Sequence, residues 1–258
     1  MTDIGKWADY LLEAEARREQ VAPITDADPE LTLDDAYRIQ DELVTRRIAT
    51  GERLVGAKLG LTSRAKQASM GVYQPIYAWL TDRMVVPLEA PLAVGELIHP
   101  RVEPEIAFVL GRELAGPGVT AQAVLDATAS VCCGLEVIDS RYADFRFTLA
   151  DVVADNASAA RFVLGPRRVA ADFDLRLEGC LLEVDGELVA TAAGAAVLGH
   201  PAEAVALLAN ALARRGKRLE AGWVVLAGGL TDAVPLATGL HVDASFARLG
   251  HVGVRGVD

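Results

Sequence analysis

The segment Arg101-Val-Glu-Pro-Glu-Ile-Ala-Phe-Val-Leu110 carries the clearest structural pattern in this sequence. Apolar residues at alternate positions, among them Val102 and Ile106, predict a strand that buries one face. Successive side chains of a strand point to opposite faces, so Glu103 and Glu105 project to the same side. Their Cα atoms should lie roughly 7 Å apart, the length of two strand residues. Both carboxylates can therefore reach a common point.

A cluster of acids at that point needs a compensating charge. Two like charges held together favour either a cation between them or the protonation of one of them. A third acid, Glu136, has apolar neighbours in Gly134-Leu-Glu-Val-Ile-Asp-Ser140, which predicts that it is buried as well. Carboxylate oxygens suit hard divalent ions, so Glu103, Glu105 and Glu136 predict a site for Mg²⁺ or Mn²⁺. In the alternative interpretation, the first two glutamates only form a solvated face of the strand.

Lys58 is the single charged residue of a second apolar segment, Leu54-Val-Gly-Ala-Lys-Leu-Gly-Leu-Thr62, which also has the composition of a strand. Burial disfavours the charged form of a lysine and lowers its pKa. Such a lysine can donate or accept a proton during catalysis, which makes Lys58 the candidate catalytic residue. In the alternative interpretation, its apolar stem packs in the core and its ammonium group reaches water.

The composition limits the classes of function. The 258 residues carry 25 Lys and Arg against 36 Asp and Glu, a net charge of −11, which argues against nucleic acids and anionic membranes as partners. The first residues have no apolar signal core, and no stretch looks long enough to span a bilayer. Cys132, Cys133 and Cys180 lack zinc-site spacing and indicate free thiols in a reducing compartment. We therefore expect a cytoplasmic protein that binds neither nucleic acid nor membrane.

The order of the predicted elements indicates an α+β fold. Amphipathic helices are predicted over about 1–20 and from Thr32 to Gly51. Short strands and few helices follow without regular alternation, which predicts a mixed, strongly bent β-sheet roll. We divide the chain into an N-terminal helical appendage, 1–52, and a catalytic metal-binding mixed β domain, 53–258. Pro104 lacks a backbone N–H, which favours an edge strand or a bulge for the glutamate strand.

Several segments between the strands have the composition of functional loops. Ser63 is predicted to cap a short helix that ends near Gly71. The polar and aromatic stretch from Arg141 to Asp155 suits a lid, and Asp155-Asn-Ala-Ser158 has the composition of a turn. Gly228-Gly-Leu-Thr231 is a loop that can approach a ligand closely.

Three further predictions concern local structure. Residues 21–29 are expected to be a connector between the first two helices. Asp185-Gly186 is the predicted type I′ turn of a hairpin over residues 175–191. The helix that Pro201 opens has a predicted core stripe, formed by Val205, Leu208, Ala209 and Leu212.

Other catalytic motifs are missing from the sequence. It contains no Gly-x-x-x-x-Gly-Lys-Ser/Thr loop, no Gly-x-Gly-x-x-Gly after a strand and no Gly-x-Ser-x-Gly elbow. The histidines lack metal-ligand spacing. His200 precedes Pro201 at a helix start, where capping or packing is the expected role, and His99 is expected to be structural.

These segments together resemble the fumarylacetoacetate hydrolase superfamily, and within it the hydratase/decarboxylase branch that acts in the meta-cleavage degradation of aromatic compounds. The resemblance covers nearly the whole chain. It is carried by five motifs in the same order: Val55-Gly-Ala-Lys-Leu-Gly-Leu-Thr62, Pro100-Arg-Val-Glu-Pro-Glu-Ile-Ala-Phe108, Leu135-Glu-Val-Ile-Asp-Ser-Arg141, Val153-Ala-Asp-Asn-Ala-Ser158 and Leu198-Gly-His-Pro201.

The resemblance implies Mg²⁺ or Mn²⁺ on the three glutamates, a catalytic role for Lys58 and a mixed β-roll. It implies a small 2-oxo dicarboxylate substrate, homo-oligomers, and complexes of a decarboxylase with its partner hydratase. The residues expected to contact the substrate are Leu61, Thr62, Ile76, Asp155, Ser158 and Thr231.

Two activities compete within the branch, namely decarboxylation of 2-oxo-3-hexenedioate and hydration of 2-hydroxypenta-2,4-dienoate. Hydratases of the branch carry an acid where Gln74-Pro-Ile-Tyr77 has Ile76, and an isoleucine cannot manage the added water. A dry pocket, from which apolar Ile76, Tyr77 and Trp79 are expected to exclude water, suits loss of CO₂, so the decarboxylase is favoured. A non-catalytic partner subunit stays possible. So does hydrolysis of an acylpyruvate, although the histidine expected near the N-terminal helices is missing, since no histidine precedes His99.

Overall fold

The computed structural model describes residues 2–63, 67 and 75–258. The predicted helix from Ser63 to near Gly71, and Gln74 beside Ile76, fall mostly outside these residues. The helices are α1 (Ile4–Arg17), α2 (Ile24–Ala27), α3 (Leu33–Ala49), α4 (Ala121–Ala127), α5 (Leu149–Ala154) and α6 (Pro201–Ala213). The strands are β1 (Leu54–Gly60), β2 (Ile76–Thr81), β3 (Leu92–Ala93), β4 (Arg101–Leu110), β5 (Thr128–Ile138), β6 (Ala159–Leu164), β7 (Gly179–Val184), β8 (Glu187–Ala193), β9 (Val224–Leu226), β10 (Val234–Pro235), β11 (His241–Phe246) and β12 (Gly250–Val257).

The N-terminal caps predicted for two helices are present in the structure. Thr32 caps α3, because its side chain accepts a hydrogen bond from the backbone N–H of Asp35. The imidazole of His200 accepts from the backbone N–H of Ala202 and caps α6, whose first residue is Pro201. A short helix, α2, lies where the sequence indicated only a connector.

The larger sheet runs in the order β2-β1-β9-β4-β5-β6, with β10 also paired to β4. Its pairs are antiparallel except β1 with β9, so the sheet is mixed. The smaller sheet runs β3-β12-β11-β7-β8 and includes the predicted hairpin. Asp185 and Gly186 have φ values of 50° and 81°, which are the left-handed conformations of a type I′ turn. The predicted α+β fold with a mixed, curled sheet is confirmed.

The glutamate strand β4 is a central strand, and the prediction of an edge position is wrong. It pairs with β5 on one side and with β9 and β10 on the other. Pro104 lies between the segments that pair with β10 and β9, and its carbonyl accepts a hydrogen bond from Leu230. The N–H and C=O of one strand residue face the same side. The missing donor of Pro104 therefore faces a loop and removes no bond of the strand ladder.

The N-terminal helices pack into the core of the protein. Trp7 and Leu11 of α1 and Ile39 and Leu43 of α3 are buried in the same apolar cluster as the strands. The buried amide of Gln40 donates hydrogen bonds of 3.0 Å to two backbone carbonyls, one in β2 and one in α5. These contacts join the N-terminal helices to the sheet. The predicted division of the chain into two parts after residue 52 stays a prediction.

One expectation about hydropathy needs correction. The segment Gly194–Ala213 is long and apolar enough to cross a membrane by length and composition alone, so the view that no stretch has the length was wrong. Half of this window is buried inside the protein. It contains α6, whose residues Val205, Leu208, Ala209 and Leu212 pack in the core as predicted. A buried core helix explains its apolar character.

Loss of the Gln40 amide should destabilise the fold. In Gln40→Leu, the carbonyls of Tyr77 and Val153 lose a buried donor, so the free energy of unfolding should fall by roughly 1–3 kcal/mol in urea titrations. Gln122→Leu is the matched control, because the exposed Gln122 bonds only Asp126 on α4. Its effect should stay within about 0.5 kcal/mol. Equal effects of the two substitutions would refute the tethering role of Gln40.

Candidate active site

The structure brings the three predicted acids together. Glu103 lies directly opposite Glu136 in the register of β4 and β5, and Glu105 projects from the same face of β4 as Glu103. One carboxylate oxygen of each residue lies within 4.8 Å of those of the other two. Glu105 and Glu136 have no solvent exposure, and Glu103 is 9% exposed. The arrangement concentrates negative charge at one buried point.

Burial makes this concentration of charge unfavourable in the absence of a cation. Desolvation raises the pKa of Glu105 well above its usual range, and the charges of Glu136 and Glu103 raise it further. Desolvation also raises the pKa of Glu136, although the ammonium group of Lys58 opposes that shift. The two carboxylates therefore hold their protons more strongly than exposed glutamates do.

The loop after β9 is shaped around these carboxylates. The backbone N–H of Gly228 donates a 2.6 Å hydrogen bond to Oε2 of Glu105, and its φ of 113° is one that side-chain-bearing residues rarely adopt. At Gly229, a Cβ atom would lie 2.1 Å from Oε2 of Glu103. At Gly228, a Cβ atom would lie 2.0 Å from Oγ1 of the buried Thr62. The predicted close approach of this glycine loop is thus to the acids themselves.

Lys58 extends from β1 toward the acids. Its Nζ atom lies 3.0 Å from Oε1 of Glu136 and donates a 2.6 Å hydrogen bond to the carbonyl of Ala157. The side chain is 3% exposed, so the ammonium group does not reach bulk water as the alternative interpretation required. Lys58 supplies a positive charge beside the carboxylate cluster.

The carbonyl that receives Lys58 belongs to an unusual turn. Asn156, Ala157 and Ser158 have φ values of 47°, 46° and 58°, in the left-handed region that non-glycine residues seldom occupy. The side-chain amide of Asn156 both accepts from and donates to the backbone of Trp79 in β2, at 2.9 Å in each case. This pair of bonds holds the turn against β2. Runs of such strained residues occur mainly where function requires a specific geometry.

A cavity of about 500 Å³ opens above the acids. Its lining in the described part of the chain comprises Lys58, Gly60, Leu61, Ile76, Arg101, Glu103, Ile138, Phe145, Phe147, Val152, Ala157, Ser158, Asp232 and Ala233. Most of this lining is apolar, and Glu103 and Lys58 reach it. A larger cavity, of about 640 Å³, lies around Trp79 and Trp223 but includes none of the three glutamates. Chemistry, not size, identifies the smaller cavity as the candidate site.

The predicted substrate-contacting residues divide into two groups. Leu61, Ile76 and Ser158 line the cavity. Thr62, Asp155 and Thr231 lie outside the described lining. The hydroxyl of Thr231 bonds the carbonyl of the next residue, Asp232, which does line the cavity.

Asp155 is fully buried behind Ser158. It pairs with Arg141, and it accepts a 3.3 Å hydrogen bond from the hydroxyl of Ser158. Burial raises the pKa of Asp155 to about 6, although the guanidinium of Arg141 opposes the shift. Asp155 thus supports the strained turn from below. Its contact with substrate stays a prediction.

Sequence reasoning assigned one group of residues wrongly and missed another. Tyr77 and Trp79 were expected to exclude water beside Ile76, but they line other cavities because alternate residues of β2 face opposite sides. Arg101 and Asp232 were not predicted as site residues. Arg101 had a signal in the sequence, because it shares the parity of Glu103 on β4. Asp232 follows the predicted glycine loop and had no distinct signal.

The residues fit a hard divalent ion. Three carboxylates are a donor set suited to Mg²⁺, and Oε1 of Glu105 is buried without a hydrogen bond from the described residues. A cation here would offset the desolvation that raises the pKa of Glu105. Mg²⁺ takes six oxygens, so three protein carboxylates would leave about three positions for other ligands.

Comparison with known proteins agrees with this site. A sequence model of the fumarylacetoacetate (FAA) hydrolase C-terminal family matches residues 54–255. The chain belongs to this family. It is 46% identical over 249 residues to 4-oxalocrotonate decarboxylase of Pseudomonas sp. (strain CF600). The aligned region covers 96% of this chain and 94% of that protein. It is also 45% identical over 217 residues to a 2-hydroxypent-2,4-dienoate hydratase of Pseudomonas putida, covering 83% and 98% of the two chains.

A solved structure is also similar to this member of the FAA hydrolase C-terminal family. The 4-oxalocrotonate decarboxylase from Pseudomonas putida G7, complexed with magnesium and adipate, superposes with a TM-score of 0.96. The sequences are 43% identical, and the match covers 98% of this chain and 97% of that one. The predicted family resemblance is confirmed. The relatives include both decarboxylases and hydratases.

Magnesium should stabilise this protein more at high pH than at low pH. The folded-state pKa of Glu105 is raised above its usual value of 4.5. In the metal-free protein, Glu105 therefore contributes fully to stability below about pH 4.5, where it is protonated. This contribution is lost as pH rises through the raised pKa. Mg²⁺ binds the deprotonated carboxylates of the folded state and reverses this loss. The Mg²⁺-induced increase in Tm should therefore be larger at pH 8 than at pH 5.5.

Two variants test the source of that increase. Glu105→Gln should remove most of the Mg²⁺ effect and, without the ion, should lose less stability toward pH 8 than the unsubstituted protein. Glu187→Gln, at an exposed position of β8, should leave both profiles unchanged. A Mg²⁺ effect of equal size at both pH values in all three proteins would contradict binding at the glutamates.

Proposed function

We propose that this protein is a Mg²⁺-dependent carbon–carbon lyase that decarboxylates 2-oxo-3-hexenedioate (4-oxalocrotonate) to 2-hydroxypenta-2,4-dienoate or its tautomer 2-oxopent-4-enoate and CO₂. The observation that carries the proposal is the convergence of Glu103, Glu105 and Glu136 beside Lys58 at the base of a largely apolar cavity. The similarity over nearly the whole chain to 4-oxalocrotonate decarboxylases supports the choice of substrate.

The chemistry requires charge to move along the substrate. The bond between C5 and the C6 carboxylate breaks, and its electron pair shifts through the conjugated double bond toward the C2 oxygen. The carboxylate leaves as CO₂, and the resulting dienolate must gain one proton. A bound divalent ion supplies positive charge where the C2 oxygen becomes negative, which stabilises the transition state more than the ground state.

The protein's residues supply orientation, a dry surface and a proton. The three glutamates would hold the divalent ion, and the ion would offer open positions to the 2-oxo acid end of the substrate at the base of the cavity. Ile76, Phe147 and Val152 form apolar lining, and they exclude water from the carbon chain of the substrate. Lys58 lies at the same base and is held by Ala157. It can deliver a proton to the dienolate, or orient the group that does.

Hydration of 2-hydroxypenta-2,4-dienoate is the second candidate activity, because one relative with that name is 45% identical. A hydratase needs a polar group to direct the water that it adds. Ile76 lines the cavity as a buried apolar residue. This favours decarboxylation.

The proposal includes a setting for the enzyme. It would act in the meta-cleavage degradation of aromatic compounds, as a cytoplasmic homo-oligomer, and would pass its unstable product to a partner hydratase. Support comes from the hydratases among its relatives and from three free, buried cysteines, which suit a reducing compartment.

A pair of assays tests the activity. With Mg²⁺, the purified protein should release CO₂ from 2-oxo-3-hexenedioate at a rate that far exceeds any water addition to 2-hydroxypenta-2,4-dienoate. Removal of Mg²⁺ with EDTA should lower the rate at least about 10²-fold, the typical effect of losing one group that stabilises an oxyanion. Faster hydration than decarboxylation would establish the hydratase instead. Absence of both activities in the folded, Mg²⁺-loaded protein would favour a non-catalytic subunit.

Replacement of Lys58 should separate catalysis from metal binding. Lys58→Met should lower kcat by about 10²–10⁴-fold, the usual contribution of a positioned acid or base, while Mg²⁺ affinity by calorimetry stays similar, because the ion can replace the lost positive charge. Lys217→Met is the control, since Lys217 packs over Trp79 outside this cavity. Loss of Mg²⁺ binding in Lys58→Met would make Lys58 a structural residue.

A further inference from the structure

We propose that Arg101 binds the far carboxylate of a linear dicarboxylate and thereby makes this site select dicarboxylates over monocarboxylates of the same length. This deepens the proposed function and rests on it for the identity of the substrate. Arg101 lines the same cavity as Glu103 and Lys58. It is therefore placed to meet the end of the substrate that lies away from the three glutamates.

The position of Arg101 on β4 sets its distance from the acids. Glu105, Glu103 and Arg101 occupy alternate positions and so project from one face of the strand. Their exposure increases in that order, from 0% for Glu105 and 9% for Glu103 to an exposed Arg101. The strand thus leads from the buried carboxylate cluster at the base of the cavity to a guanidinium nearer its mouth.

The spacing matches the length of a six-carbon diacid. Two residues of a strand span roughly 7 Å between Glu103 and Arg101. Five carbon–carbon bonds of about 1.5 Å each span roughly 6 Å in an extended chain. A substrate with its 2-oxo acid end at the glutamates therefore brings its C6 carboxylate near Arg101, within the reach of a long side chain.

The guanidinium of Arg101 is held in place without an acidic partner. Its central carbon lies 4.1 Å from the ring centroid of Phe145, a favourable cation–π contact. No carboxylate of the described residues forms an ion pair with it. Lys58, by contrast, is paired with Glu136. Within residues 2–63, 67 and 75–258, no carboxylate therefore competes with a ligand for the donors of Arg101.

Phe145 is itself fixed by the surrounding structure. Its φ of 54° and that of Asp144, 56°, lie in the left-handed region, where non-glycine residues are strained. The ring stacks on His99 with centroids 4.5 Å apart, and His99 donates a 2.7 Å hydrogen bond from Nε2 to the carbonyl of Ser140. The platform under Arg101 is therefore built from several elements.

The chemistry of arginine suits this role. Its planar guanidinium donates two parallel hydrogen bonds to a carboxylate, which gives both affinity and orientation. Ile138 and Phe147 add apolar surface to the cavity, against which the carbon chain between the two ends of the substrate can pack. Asp232, in the same lining, would repel a carboxylate that approached without Arg101.

Arg101 should act mainly on binding, because the C6 carboxylate loses its charge as CO₂ leaves. An interaction with that charge is stronger in the bound substrate than in the transition state. Its loss raises KM and does not lower kcat in proportion. Arg101 is accordingly a specificity-determining residue, and Lys58 stays the candidate for proton transfer.

A matched pair of ligands tests the proposal without turnover. 2-Oxoadipate and 2-oxohexanoate share the 2-oxo acid end and the chain length, and only the first has a far carboxylate. Calorimetry on the Mg²⁺-loaded protein should show tighter binding of 2-oxoadipate. In Arg101→Met, the affinity for 2-oxoadipate should fall by about 10- to 100-fold, the typical effect of losing a charged hydrogen bond, while the affinity for 2-oxohexanoate changes by less than about threefold.

Arg248→Met is the control variant. Arg248 is an exposed arginine that packs over Phe173, with its central carbon 4.9 Å from the ring, outside this cavity. It should leave both affinities unchanged. If Arg101→Met fails to fold, Arg101→Gln gives the same comparison, and binding of 2-oxohexanoate verifies that the site is intact. In turnover, KM for 2-oxo-3-hexenedioate should rise in Arg101→Met more than kcat changes.

The outcomes separate this proposal from the proposed function. Equal binding of the two ligands by the unsubstituted protein, or equal weakening of both in Arg101→Met, would overturn the role of Arg101 and leave decarboxylation standing. Absence of CO₂ release with preserved selectivity for 2-oxoadipate would overturn the decarboxylase and leave Arg101 as a carboxylate-binding residue.

Discussion

The burial of Glu103, Glu105 and Glu136 at one point is the constraint on which the rest of this structure depends. Three carboxylates within 4.8 Å of one another repel, and burial removes the water that would screen them. The ammonium group of Lys58 and the backbone N–H of Gly228 partly stabilise these carboxylates, through an ion pair with Glu136 and a hydrogen bond to Glu105. Neither offsets the desolvation of Glu105 and the repulsion from Glu136 and Glu103, so the pKa of Glu105 stays raised. The site therefore suits a divalent cation.

Much of the surrounding architecture serves this cluster. The central position of β4 places Glu103 opposite Glu136, although like charges in direct register weaken a pair of strands. Glycines at 228 and 229 let a loop pass against the carboxylates. Asn156 fastens a strained turn to β2, and that turn presents the carbonyl that holds Lys58. Stability is thus given up locally to hold a chemical arrangement, as at many active sites.

The same cavity combines two kinds of recognition. At its base, acids suit a hard ion and a chelating 2-oxo acid. Nearer the mouth, Arg101 rests on Phe145 and offers a positive charge. The acids at the base are buried, and the lack of water around them strengthens their interaction with a cation. The proposed role of Arg101 relates the strand segment between Glu103 and Arg101 to the length of the substrate.

Local chemistry and periodicity in the sequence are sufficient to predict strand faces, helix ends and turns in this protein. Alternation along 101–110 was sufficient to place Glu103 and Glu105 on one face, and Thr32, Asp185-Gly186 and Pro201 marked a helix cap, a turn and a helix start through their own backbone preferences. Five motifs in the same order carried the resemblance to the family. These signals need no knowledge of which strand pairs with which.

Contacts between segments that are distant in the sequence depend on the tertiary structure. Pairing of β4 with β5 brings Glu136 to Glu103 and Glu105. Packing brings Lys58 of β1 to Glu136, although the two residues are 78 positions apart in the chain. The same packing put Pro104 in a central strand, turned Tyr77 and Trp79 away from the cavity, and joined Arg101 to Phe145. A local pattern specifies the face on which a side chain lies, but the partner across that face depends on how distant segments meet.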